Sequence, residues 1–157
     1  MSENYSKWAA CIVYYENSDS LENLLKDLDS QTLKPNEIFV VDNNSIHEPN
    51  ILSGPIKINL LKLDKNLGFG AAANFGVKKA IENNYLNLIL FSQDVELEHD
   101  TCEKLIKAVN KFSGVAFPTM SNRVNKTIFS KGGVINYLTG SIRLITKQVP
   151  QKIFYVF

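Results

Sequence analysis

The sequence predicts an α/β fold: a mostly parallel sheet with helices on both faces, followed by short mixed strands towards the C-terminal end. Three observations predict it. Short continuous apolar runs of strand length alternate with segments whose apolar residues recur at helical spacing. Each of the first four runs ends abruptly in polar residues, as strands do where a parallel sheet meets solvent. Beyond Pro118 the helical spacing stops, while short apolar runs continue.

Trp8 to Tyr14, WAACIVY, is a continuous apolar run and predicts a buried first strand. Leu21, Leu24, Leu25 and Leu28 recur at i, i+3, i+4 and i+7 and predict an amphipathic helix, with Asp19 and Glu22 as a capping pair at its start. Pro35 falls after it, where a helix cannot continue. EIFVV (37–41) is the second strand and INLLKL (58–63) the third. A small-residue helix follows, with Ala73, Val77, Ala80 and Ile81 on one face. LNLILF (86–91) is the fourth strand. Cys102, Leu105, Ile106 and Val109 mark a third helix, opened by Asp100 or Thr101. GVAF (114–117) is a fifth strand, stopped by Pro118. Short strands are expected at about 127–129, 134–137, 141–146 and 152–157.

The 157 residues suit one domain, and a composition 45% hydrophobic and 21% charged is ordinary for a globular chain with a core. A formal net charge of +1 gives no electrostatic case for nucleic acid as the main partner. Cys11 and Cys102 lack metal spacing and sit among apolar residues, as buried free thiols do. MSENYSKWAACIVYY lacks the pattern of a signal peptide, and no run reaches the ~18 apolar residues of a membrane helix, so a cytoplasmic protein is expected. His47 and His99 lie in separate loops and read as surface residues. Lys104, Lys107 and Lys111 read as the wet face of a helix.

Ligands of parallel α/β sheets bind beyond the carboxyl ends of the strands. The residues there are Tyr15, Glu16 and Asn17; then Asp42 to Ser45; then Asp64 to Gly68; then Ser92, Gln93 and Asp94. VVDNNS (40–45) is composed of turn formers. At a strand end, Asp42 can also accept from a ligand's N–H or O–H. In NLGFGAAANFG (66–76), Gly68 and Gly70 permit close backbone approach, and the helix that follows offers free N–H groups to an anion. Gly68, Gly70 and Ala73 also satisfy G-x-G-x-x-A, the dinucleotide-binding pattern, although four residues separate the third strand from Gly68 and the unit does not follow the first strand. Close helix packing through Ala71, Ala72 and Ala73 accounts for the same small residues. Asn74 is unfavourable inside a helix. LILFSQDVEL (88–97) carries one acid at the strand end, Asp94. One carboxylate can suffice for Mg²⁺ or Mn²⁺ on a nucleoside diphosphate, because phosphates and water complete the octahedron.

Together these motifs resemble the family 2 glycosyltransferases, inverting enzymes of the GT-A fold with a Rossmann-like sheet, and among them the rhamnosyltransferase-like branch that builds bacterial surface polysaccharides. The resemblance is carried by IVYYENSDSLENLLKDLDSQTLKPNEIFVVDNNS (12–45), LDKNLGFGAAANFGVKKA (63–80) and LILFSQDVEL (88–97), with a weaker match at SKGGVI (130–135). It spans nearly the whole chain, with the motifs in the family's order and spacing.

The resemblance implies that Asp42 contacts the nucleotide base and that Tyr14, Tyr15 and Glu16 line the same pocket. Asn66, Gly68 and Asn74 would lie along the nucleotide sugar. The family's D-x-D motif falls on Ser92, Gln93 and Asp94: the second Asp, a metal ligand, is kept as Asp94, and the first is replaced by Ser92. Mg²⁺ or Mn²⁺ is the implied cofactor. The implied partners are a nucleoside-diphosphate sugar and a saccharide or lipid-linked acceptor, with room for peripheral association at the inner face of the membrane. In the family, the catalytic base comes from a later segment, often with a G-G-F-D-E stretch and an E-D pair. Here the only acid after Asp100 is Glu103. The chain is therefore expected to be a single donor-binding domain that stops short of the acceptor and base segment, its last strand (152–157) open to a neighbour or a second copy. Two alternatives remain at this point: a binding module that has lost its chemistry, for which Ser92 speaks, and a dinucleotide-binding oxidoreductase domain.

Overall fold

The computed structural model describes residues 7–51, 54–112, 116, 118–122, 124–130, 133–135 and 142–144. The chain forms two compact units, Met1–Glu103 and Lys104–Phe157.

The first unit is built on four parallel strands, β1 (Trp8–Tyr14), β2 (Glu37–Asp42), β3 (Lys57–Lys62) and β4 (Asn87–Ser92), in the order β3-β2-β1-β4. The chain moves outward from β1 to β3, then returns to the other side of β1. In parallel α/β sheets such a reversal, here at the carboxyl ends of β1 and β4, is where ligands bind. β1 has the expected bounds, and all its residues are buried, as a central parallel strand covered on both faces requires.

Helix α1 (Ser18–Ser30) buries Leu21, Leu24 and Leu28. Leu25 is half-buried and lines a hollow with Ile38 and Ile58, which places α1 against one face of the sheet. Its cap differs from expectation. Asn17 is the N-cap, its side chain accepting from the Ser20 N–H at 3.1 Å, while Glu22 pairs with Lys26 one turn on at 2.6 Å. The helix starts one turn before its first leucine, so Asn17 is the residue in reach of the orphan donors.

Helix α2 (Phe69–Glu82) covers the opposite face, where Ala72 and Ala73 pack on Cys11, Val13 and Val41, and Ala80 packs on Ala9 and Phe39. The buried stripe is Ala72, Ala73, Gly76 and Ala80, with Val77 half-buried, whereas Ile81 is 53% exposed and Ala71 faces solvent. The expected face is thus rotated: the smallest side chains, not the largest, meet the sheet. A Cβ on Gly76 would stand 2.4 Å from Cys11 Sγ and 2.7 Å from Val41 Cγ2, so the contact is backbone to side chain.

At the amino ends of the strands, Glu37 is buried with its carboxylate accepting from Asn59 Nδ2 at 2.6 Å and paired with Lys57 at 2.5 Å. The loop after β4 is tied to the end of α1. Asp27 accepts from the Leu97 N–H, Gln31 bridges the Glu98 carbonyl and the Cys102 N–H, and Thr32 donates to Glu103. Burial pushes the thiols of Cys11 and Cys102 up to about 12, so both are inert, uncharged core groups near neutral pH.

Helix α3 (Thr101–Phe112) starts at Thr101 and buries Cys102 and Ile106, with Leu105 and Val109 half-buried. The second unit then contributes two antiparallel pairs: β5 (Met120–Ser121) with β6 (Ile128–Ser130), and β7 (Gly133–Ile135) with β8 (Ile142–Leu144). Of the fifth strand expected at 114–117, only Ala116 is described, and it lies outside any strand. The strand expected at 152–157 lies outside the described residues. The α/β class and the parallel four-strand sheet flanked by helices are as the sequence predicts.

Candidate functional site

The register sets Tyr14 beside Asp42 and Val13 beside Ser92, so the loops after β1, β2 and β4 leave the sheet at one level. With strands about 4.8 Å apart, the ends of β2 and β4 stand about 10 Å from each other across β1. The loop from β3 to α2 joins them from the β2 side: the Leu63 N–H donates to the Asp42 carbonyl.

Asp42 is buried, and one carboxylate oxygen accepts the Ser45 N–H at 2.9 Å, closing a turn. The loops after β1 and β2 are stapled to each other. The Glu16 N–H donates to Ser45 Oγ at 3.1 Å, and the Glu16 carboxylate accepts the Ile46 N–H at 2.5 Å and meets His47 Nδ1 at 3.2 Å. Both loops use left-handed residues to make these turns, Glu16 at φ 58° and Asn44 at φ 63°. The Ile46 N–H, aided by His47, holds the Glu16 carboxyl below its ordinary value. Tyr14 is fully buried, and its hydroxyl donates to the His47 carbonyl at 3.1 Å. Tyr14 and Glu16 therefore spend their polar groups on shaping the loops. Tyr15 leaves its ring half exposed beside them.

Gln93 crosses to β1. Its amide accepts the Tyr15 N–H at 2.7 Å and donates to the Tyr15 carbonyl at 2.9 Å, adding one more ladder rung after β4 has ended. Ser92 Oγ donates to Asp94 Oδ1. Asp94 is exposed, so its carboxylate projects from the turn with one oxygen steadied by a neutral partner. Among the described residues no three His, Cys, Asp or Glu side chains converge as a metal cage. A lone exposed carboxylate fits Mg²⁺ or Mn²⁺ only when diphosphate oxygens and water supply the remaining ligands.

Asn43 is a contributor that the motif pattern does not single out. Buried at the end of β2, it donates to Asn66 Oδ1 at 3.0 Å and accepts the Leu67 N–H at 2.9 Å. Asn66 Oδ1 in turn accepts the Gly68 N–H at 2.9 Å. This pair fixes the entry to α2. Gly68 sits at φ 77°, a conformation costly for any side chain, and open space surrounds the Cβ positions of both Gly68 and Gly70. No side chain caps α2 and no acid lies in its first turn, so the positive end of its dipole faces that space uncompensated. Asn74 lies one turn further on, exposed. One sheet edge thus carries a buried carboxylate (Asp42), an open helix N-terminus (Gly68 to Gly70) and an exposed carboxylate (Asp94).

Comparison with known proteins gives this edge a context. Residues 9–154 match the model of glycosyl transferase family 2. Over 76 residues, 47% of this chain and 28% of the relative, the sequence is 37% identical to the uncharacterized glycosyltransferase YwdF of Bacillus subtilis (strain 168). The fold is similar to that of S. aureus TarS, with a TM-score of 0.51 at 14% identity over 75% of this chain and 24% of that one. It is likewise similar to TarS 1-349 in complex with UDP, with a TM-score of 0.53 at 16% identity over 68% of this chain and 32% of that one. The chain thus spans about a third or less of the length of each of these proteins. The structural neighbours share the architecture of a parallel sheet flanked by helices, and the family model covers every strand that ends at the edge described above: this chain belongs to glycosyl transferase family 2.

Proposed function

We propose that this chain binds a nucleoside-diphosphate sugar across the carboxyl ends of β1, β2 and β4 and presents it for inverting transfer to a saccharide or lipid-linked acceptor, in bacterial surface polysaccharide synthesis on the cytoplasmic side of the membrane. The observation that carries the proposal is the convergence of Asp42, the uncapped α2 N-terminus and Asp94 on one sheet edge. A base needs a hydrogen-bond acceptor for its N–H groups, and Asp42 provides one. A diphosphate needs N–H donors and positive potential, and Gly68 with the start of α2 offers both. A divalent cation needs a carboxylate, and Asp94 has one free to reach it. UDP in the TarS complex supports the nucleotide assignment. No described helix is long and apolar enough to cross a membrane.

In the reaction, an acceptor hydroxyl attacks the anomeric carbon, the new C–O bond forms as the bond to the diphosphate oxygen breaks, and the acceptor's proton passes to a carboxylate base. Asp42 orients the donor through its base. The α2 dipole favours negative charge where the leaving group gathers it. When bound with the diphosphate, Mg²⁺ or Mn²⁺ supplies further neutralisation of that charge. Ser92 orients Asp94 by donating to it. A second reading, a nucleotide-sugar-binding module without turnover, is favoured by Ser92, which brings no charge where the family's motif has an acid. Family membership leaves the dinucleotide-oxidoreductase alternative unsupported.

Calorimetric titration with UDP, dTDP and NAD, each with and without Mn²⁺, separates the readings. Metal-dependent binding of UDP or dTDP is the expected result. Metal-independent nucleotide binding favours the module, and binding of NAD alone overturns both.

A further inference from the structure

The net charge of +1 conceals a strong segregation. All 16 acidic residues lie at or before Glu103, together with eight of the 17 Lys and Arg. The second unit, Lys104–Phe157, carries the other nine and no acid. Roughly a third of a nearly neutral protein is thus strongly cationic. Intramolecular pairing can offset individual lysines but leaves that unit's own excess in place. A one-signed excess of this size marks a surface for an anionic partner.

The β5–β6 hairpin indicates which kind. Its tip is a fixed structure. The Asn122 N–H donates to the Thr127 carbonyl at 2.8 Å, and the Lys126 N–H donates to the Asn122 carbonyl at 2.9 Å. Asn122 Oδ1 accepts the N–H groups of Val124 and Asn125. Asn125 Oδ1 accepts from Thr127, and Lys126 adopts φ 55°. This scaffold presents Val124 to solvent at 91% exposure, with Met120 and Ile128 also exposed on the same hairpin and Lys126 exposed two residues from Val124. A rigid turn that holds an apolar tip in water gains nothing on a phosphate backbone, which offers no apolar phase. On a bilayer, the valine enters the interface while the lysine stays with the headgroups.

We propose that the second unit docks on an anionic lipid surface, with the β5–β6 tip (Val124 and Lys126) as the inserting element and the unit's cationic excess as the attraction. The partner chemistry is a phospholipid headgroup of net negative charge. Such docking would hold the chain where lipid-linked acceptors are found, but it follows from charge and exposure alone and does not depend on the transferase assignment.

The test is co-sedimentation of the full 157-residue chain with vesicles of pure phosphatidylcholine and of phosphatidylcholine containing about one third phosphatidylglycerol. Binding to the anionic vesicles alone, weakened by added salt, is expected. Lys126→Glu should weaken it about twenty-five-fold, since each surface cation contributes about a factor of five and reversal counts twice. Val124→Asp should weaken it at least severalfold while leaving the thermal melt unchanged, because the side chain touches little in the folded protein. Loss on Lys126→Glu with full retention on Val124→Asp overturns the inserting role of the tip. Equal binding to both vesicle types, or to neither, overturns the proposal. Binding to a soluble polyanion such as polyphosphate or nucleic acid, without binding to anionic vesicles, overturns it in favour of that other partner.

Discussion

Asp94 and Ser92 form the pair on which the proposed donor binding turns. Asp94 is exposed at the end of β4, so Asp94→Ala removes a carboxylate without opening the core. The variant should melt like the parent but lose metal-dependent binding of UDP or dTDP by more than about tenfold, or about 1.4 kcal/mol. Unaltered affinity in the presence of Mn²⁺ would show that Asp94 is not the ligand. Ser92→Asp adds a second carboxylate two residues from the first, which should tighten the metal-dependent binding severalfold, since hard cations favour added carboxylate oxygens. Affinity equal to or below the parent's in the same titration would mark Ser92 as an adapted feature. The strand ends that carry the candidate residues were legible at this scale because they can be read from where apolar runs stop. What each polar residue does there was not. Gln93 and Glu16 carry polar groups suited to a ligand, yet the structure spends them on the Tyr15 backbone and the Ile46 N–H. Asn43, one among several turn formers in VVDNNS, holds the α2 entry. Only the fold says which amide meets which loop.

At the scale of elements, legibility followed burial. β1 has its expected bounds because a strand covered on both faces is apolar without interruption. Helix α2 kept its place but not its expected face, because spacing among Ala, Gly, Val and Ile ranks residues by apolarity, whereas close packing on the sheet selects the smallest. That selection is testable. Gly76→Ala raises helix propensity by about 1 kcal/mol, but its Cβ meets Cys11 Sγ at 2.4 Å and Val41 Cγ2 at 2.7 Å. The clash should win and leave a net loss of stability of about 1–2 kcal/mol in urea unfolding, where a gain would show that the helix shifts without cost. The amino ends of β2 and β3 give a pH dependence. Burial of Glu37 works against its ionised form, but hydrogen bonds from Lys57, Asn59 and Tyr85 outweigh it and hold the carboxyl below 4.5. A depressed folded value means that stability is present above the ordinary glutamate range and is lost as pH falls through the folded value. Acid titration of unfolding should therefore show a loss below about pH 4.5 that shrinks in Glu37→Gln; an identical acid slope in the variant would locate the loss in other carboxylates.

For the whole molecule, the proposed reaction requires one more carboxylate than the donor edge supplies. A base must stand across the anomeric carbon from the leaving diphosphate, while Asp42 and Asp94 are assigned, in the proposed function, to the base and phosphate ends of a donor. The lone acid beyond Asp100 in these 157 residues, Glu103 in the first turn of α3, accepts from Thr32 just past the end of α1. Its role there is to brace the element rather than to reach an acceptor. Residues 1–157 alone should consequently bind a nucleoside-diphosphate sugar yet fail to transfer it. Incubation with candidate nucleotide sugars, Mn²⁺ and saccharide or lipid-linked acceptors, followed by mass spectrometry, should detect no glycosylated product. Multiple-turnover product that disappears in Asp94→Ala would mean that a base already lies within this chain, and Asp64 and Glu96, the acids nearest the edge without an assigned part in donor binding, would be the first to replace. If instead the chain is inert alone but a base-bearing segment supplied in trans restores transfer, the carboxylate edge described here is the donor half of a divided site.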